Sequence, residues 1–244
     1  MKRVLGTMIL TATIGLSFNN AEAAKYKEMT VTGGGAINGK ISSGSAKSET
    51  KSYTISKNPE ICGTGTRDVP VVRVKNGALL DAVVYLEKVK SGKPFPAALK
   101  KLTINQKKCE FSPALSVMAN GSVMEAINSD KTLHNIHTYE LIKKARRTVL
   151  NVSQPEVGSV VEKKIKLRRG VAMKVECDAH DFMHAYVFVA KNPYFAVVND
   201  KGEFEIKDVP PGKYKINVWH SSLGTKKGTV EVAANGTAKV NFSY

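Results

Sequence analysis

Short runs rich in Val, Ile, Tyr and Phe recur along this chain at intervals of about ten residues, separated by Gly, Asn, Asp and Pro. Ala82–Leu86, Ser122–Asn128, Lys163–Leu167, Ala172–Cys177, Ala185–Val189, Tyr214–Trp219 and Thr229–Val232 are the clearest. This rhythm predicts an all-β chain built as a sandwich or barrel. The helical candidates are short, around Ala97–Leu99 and Tyr139–Ala145. Residues 24–52, rich in Gly, Ser, Lys and Thr, predict a flexible lead-in with a first strand over Ile37–Ile41. Val149–Val160, with Ser153, Pro155 and Gly158, predicts a loop. A chain of 244 residues holds one large domain or two modest ones, each with its own core.

The first 23 residues predict a secretory signal. Lys2 and Arg3 precede an apolar stretch from Val4 to Phe18, and Ala21 and Ala23 supply the small residues of a cleavage site. Gly6, Thr7, Thr11, Thr13 and Gly15 interrupt that stretch, which is too short and too polar for a comfortable membrane span. The expectation is a cleaved, periplasmic or secreted protein. The formal net charge is +16, and losing Lys2, Arg3 and Glu22 removes two positive charges and one negative to leave +15. Such a field attracts acidic proteins or an anionic cell surface. Nucleic acid is a poor partner for an exported protein, and the lysines lack the arginine-and-aromatic pattern that reads bases. Three cysteines, an odd count in an oxidising compartment, predict one disulfide and one thiol kept for another purpose.

That purpose lies in Cys177-Asp178-Ala179-His180-Asp181-Phe182-Met183, which packs a thiolate, an imidazole and a thioether into seven residues. Upstream stands Leu133-His134-Asn135-Ile136-His137. Two imidazoles, one thiolate and a weak thioether are the donors of blue-copper electron-transfer sites. Cys177 can end one strand, His180 can lie in a tight loop, and Met183 can open the next strand. Zinc is the rival metal, since it also takes Cys and His, although zinc sites rarely recruit a thioether. His137 is an odd number of residues from His134 and faces the other way on a strand, and His184 points away from Met183 by the same alternation. No CxxCH occurs, so a c-type haem is excluded.

These motifs resemble the cupredoxins, amicyanin most closely, which carry His-Asn-Val-His-Phe and then Cys-x-x-His-x-Phe-Met. The likeness covers roughly residues 100–190 and extends upstream through Leu102–Asn105, Phe111–Pro113, Val117–Gly121 and Ala126–Asp130. It implies one mononuclear copper held by His134, Cys177, His180 and Met183. It also implies that Asn135 tethers the two ligand loops, with Phe182 beside them. Asp178, Ala179 and Asp181 depart from the amicyanin loop, which has Thr, Pro and Pro at those places, and put an acidic pair beside the site. Cys62 and Cys109 are expected to pair, leaving Cys177 for the metal; sequence alone does not bring their Cα atoms together.

The rest of the chain resembles a second family. Gly202-Glu-Phe204-Glu-Ile206-Lys-Asp-Val209-Pro-Pro211-Gly212-Lys-Tyr214 is similar to the signature hairpin of carboxypeptidase regulatory-like (transthyretin-like) sandwiches. Gly35–Ile41 and Gly77–Leu86 resemble the earlier strands of that family. The resemblance implies a discontinuous, non-catalytic sandwich over 24–99 and 191–244, with a Greek-key cupredoxin sandwich over 100–190 inserted in it or packed against it. Trp219-His220 is either a core pair or a contact for glycan or protein.

The functional expectation is an exported electron carrier, monomeric, docking an acidic redox partner. Two rivals stand beside it: copper carriage without electron transfer, and a metal-free module that binds surface polymers or proteins. No constellation of nucleophile and base points to an enzyme.

Overall fold

Strand alternation sets which residues meet. In Glu203–Val209, Phe204, Ile206 and Val209 turn inward while the residues between them face solvent. The computed structural model describes residues 26–244; the predicted signal and its cleavage site after Ala23 lie outside the described residues. Among the described residues the chain is all-β apart from one helical turn, Pro59–Cys62, and one 3-10 turn, Ala97–Leu99. No helix there is long and apolar enough to cross a membrane.

Two sheets are drawn wholly from residues 101–190. One runs Glu110–Ser112, Lys101–Lys107, Val123–Asn128, Val160–Lys164. The other runs Leu115–Ala119, His184–Ala190, Ala172–Glu176, His134–Ile142, Ala145–Gln154. Each contains one parallel pairing among antiparallel ones, Lys101–Lys107 with Val123–Asn128 and Leu115–Ala119 with His184–Ala190. Ile104, Met118, Met124, Ile136, Ile165, Met173, Val175 and Val187 fill the space between these sheets, all fully buried.

Two further sheets join residues from both sides of that segment. Gly35–Ser42 pairs with Glu203–Val209, and short strands at Thr237–Lys239 and Phe242–Ser243 run parallel to it. Ala82–Leu86 lies between Phe195–Val197 and Gly212–His220, which pairs in turn with Gly224–Val232. Ile37, Ile41, Leu79, Val84, Ile216 and Val218 form their shared core. A third cluster, Val83 and Trp219 against Ala172, Phe188 and Ala190, ties the two pairs of sheets together. A separate hairpin, Glu49–Thr54 with Thr66–Val72, sends Tyr53, Ile55, Ile61 and Val69 onto the first core.

Four local expectations need correction. Val149–Gln154 is not loop but the end of the Ala145–Gln154 strand, held by pairing with the His134 strand through His134↔Gln154. Tyr139–Ala145 is not helical; it is strand up to Ile142 and then a tight turn, with Lys143 in the left-handed region. The expected lead-in holds a second strand, Glu49–Thr54, after the first one expected over Ile37–Ile41, which runs Gly35–Ser42. The strand expected at Lys163–Leu167 stops at Lys164, and Ile165 and Leu167 turn into the core beyond it.

Candidate metal centre

His134 opens the inner strand of the five-stranded sheet, and Cys177 follows the end of its neighbour, Ala172–Glu176. The chain then folds into two successive turns, His180 N–H to the Cys177 carbonyl (3.3 Å) and Met183 N–H to the His180 carbonyl (3.0 Å). These turns carry His180 back over Cys177. The Nδ1 atoms of His134 and His180 lie 3.2 Å apart, and the Cys177 Sγ lies 3.8 and 3.7 Å from them. A circle through three atoms at those separations has a radius of about 2.1 Å, the length of a metal–imidazole bond and close to that of a metal–thiolate bond. All three side chains are buried. Met183 is buried in the same cluster, immediately before the His184–Ala190 strand.

Both rings are fixed from behind. Asp130 Oδ2 accepts from His134 Nε2 (2.9 Å), and its carboxylate also accepts from the N–H groups of Lys108 and Cys109. Asn58 Oδ1 accepts from His180 Nε2 (3.0 Å). Each contact places the ring proton on Nε2 and leaves the Nδ1 lone pair facing the sulfur, the device by which outer partners orient metal-ligating histidines. Burial and the neighbouring His134 push His180 down to about 4, so its ring is neutral at pH 7. Burial likewise pushes the Cys177 thiol up, outweighing the N–H groups of Asn135, Ala179 and His180. A sulfur so placed becomes a thiolate when a cation joins it.

The donor set therefore fits a soft metal ion: two imidazole nitrogens and one sulfur converge in a buried pocket. Asn135 links the two segments that carry the triad. Its N–H points at Cys177 Sγ (3.5 Å), its Oδ1 accepts from the Asp178 N–H (2.5 Å), and its Nδ2 donates to Asn151 and Asp178. Phe182 is buried, with the Arg67 guanidinium 4.9 Å above its ring. Cys62 and Cys109 form a disulfide with Cα atoms 5.1 Å apart, and Cys177 is the free cysteine.

His137 and His184 face away from the triad. His137 Nδ1 lies 3.0 Å from the Asp178 carboxylate, and His184 Nε2 lies 3.0 Å from the Tyr53 hydroxyl. Trp219 and His220 are both buried, Trp219 against Phe188 and Tyr186, so neither offers a surface contact to glycan or protein. Sequence reasoning missed Asp130 and Asn58 as partners of His134 and His180. For Asp130 a signal existed, an acid four residues before the first histidine; for Asn58, 122 residues from its partner, there was none.

Residues 170–240 match a family model described as polysaccharide lyase family 4, domain II. No curated protein matches the chain. Among solved structures it is similar to a purple cupredoxin from Nitrosopumilus maritimus, at 18% identity over 36% of this chain and 99% of that one, with a TM-score of 0.31. Amicyanin from Paracoccus versutus aligns at 16% identity over 40% of this chain and 92% of its own, with a TM-score of 0.30. A copper-containing nitrite reductase from Thermus scotoductus aligns at 12% identity over 49% of this chain but only 25% of its own length, also at 0.30.

Proposed function

We propose that this chain is an exported type 1 copper protein that carries single electrons, with one copper ion held by His134, Cys177, His180 and Met183. The observation that carries this reading is the buried triangle of two Nδ1 atoms and one Sγ, each imidazole locked to present its lone pair. Copper, when bound, supplies the one-electron couple. Asp130 and Asn58 hold the rings in one tautomer, Asn135 joins the ligand segments, and the surrounding core keeps water out. Two histidines with a cysteine and a thioether select copper over zinc. The excess of Lys and Arg suits an acidic redox partner or an anionic surface, and speeds such encounters. On this reading the protein works as a monomer in the periplasm or outside the cell.

The same proposal takes 24–99 and 191–244 as one carboxypeptidase regulatory-like sandwich, non-catalytic, with the copper domain of 100–190 inserted. Pairing of Gly35–Ser42 with Glu203–Val209, and of Ala82–Leu86 with Gly212–His220, supports this division. Carriage of copper without electron transfer is the second reading, favoured by the 1% exposure of His180.

Copper(II) added to the purified protein is expected to give an intense visible thiolate-to-copper band at one equivalent, lost in Cys177→Ser. No stoichiometric uptake would sink the metal reading. Uptake of copper(I) without a reversible voltammetric wave would leave carriage in place of electron transfer.

A further inference from the structure

The tip of the Glu49–Thr54/Thr66–Val72 hairpin covers the outer edge of the candidate metal centre. Asn58 sits there in the left-handed region (φ 51°) and accepts from His180 Nε2. Three independent contacts hold the tip down. The Cys62–Cys109 disulfide ties it to the far sheet. Arg67 donates to the carbonyls of Cys62 (2.6 Å), Cys109 (2.7 Å) and Lys108 (3.0 Å) while lying over the Phe182 ring. Ile55 and Ile61 pack on the core beneath. The sulfurs of Cys62 and Cys109 and a ring nitrogen of His180 all fall within 4.8 Å of one another, so the staple lies directly against the ligand ring.

We infer that Asn58 is a positioning residue for His180, and that residues 55–65 form a stapled cap which keeps this ring from solvent and slows metal exchange through it. The inference rests on the copper reading for its metal arm only; the contact with the ring stands or falls in the metal-free protein. Hydrogen bonding to Asn58 selects the Nε2–H form, and the cap removes the path by which water or a competing chelator reaches the ring. The hairpin comes from a different part of the chain than any ligand, and so adds to the site a residue that the ligand loops cannot supply.

The test uses two variants of the full chain. Asn58→Gly deletes the acceptor, and glycine tolerates the left-handed backbone at no steric cost. Asn58→Asp keeps an acceptor oxygen in place. In metal-free protein at neutral pH, nitrogen-15 shifts of the His180 ring are expected to report a single Nε2–H tautomer in the parent and in Asn58→Asp, and a mixture in Asn58→Gly. In copper-loaded protein, transfer to excess chelator is expected to be about tenfold or more faster in Asn58→Gly and near the parent rate in Asn58→Asp. Equal tautomers and equal transfer rates in the parent and Asn58→Gly would overturn the inference. A tautomer change with no copper uptake by any form supports the contact and removes the copper reading.

Discussion

Glu140 shows how a single buried charge is accommodated in this protein. It is fully buried in the His134–Ile142 strand, accepts from the Arg169 and Gly170 N–H groups at 2.7 Å, and pairs with Arg147 at 2.6 Å. Burial alone would raise its pKa, but Arg147 and the two amides outweigh it, and the carboxyl sits below its ordinary value. A depressed folded pKa contributes stability that is present above the unfolded value and is lost as pH falls through the folded one. Glu140→Gln is therefore expected to cost about 2 kcal/mol at pH 7, the worth of hydrogen bonds to a charged group. That gap should close as urea melts are taken into the acid range. A gap independent of pH would show that the charge contributes nothing. At this scale the proposed donors were legible, because three of them within seven residues and an upstream histidine are a chemical pattern. Asn58 was not, since its role comes from tertiary contact with no local trace.

Two elements were illegible because neither of their faces is buried. Ala145–Gln154 is largely exposed and polar along its length, so its second half reads as loop; only pairing with the His134 strand makes it a strand. Polar composition hid the Glu49–Thr54 strand in the same way. Gly35–Ser42 is the reverse case. A Cβ at Gly39 would run into the Val240 carbonyl, where the C-terminal segment crosses the strand and Val240 N–H bonds the Asn38 carbonyl. Gly39→Ala is expected to displace that segment at a cost of about 1–3 kcal/mol, by analogy with overpacked cores. The melting temperature should drop by about 2–4 °C per kcal/mol, with faster proteolysis near the C-terminus. An unchanged melt would mean that the crossing is not rigid.

Across the molecule, all-β architecture followed from strand rhythm, whereas the packing between sheet pairs did not, because nothing in Phe188 or Trp219 announces which partner they meet. Their rings lie 6.2 Å apart between sheets drawn from different parts of the chain. Phe188→Ala and Trp219→Ala are each expected to cost about 3–5 kcal/mol. Combined, they should cost about 1 kcal/mol less than the two single losses added together, the usual coupling of an aromatic pair. Strict additivity in denaturant melts would show that the two sheet pairs are energetically independent despite their contact.

Strand order also has a consequence in time. Both sheets around the triad are complete once residue 190 has been made, but Gly35–Ser42, joined before then through Ser42 to Ala78, finds its longer partners among residues 203–243. During synthesis, most of the early strand therefore waits for its partners while the middle of the chain closes around the triad. The last fifty or so residues then return to it as a clasp. A ribosome-bound chain halted shortly after residue 190 has every residue needed for the buried triangle and its staple, yet lacks the strands that flank Gly35–Ser42 over most of its length.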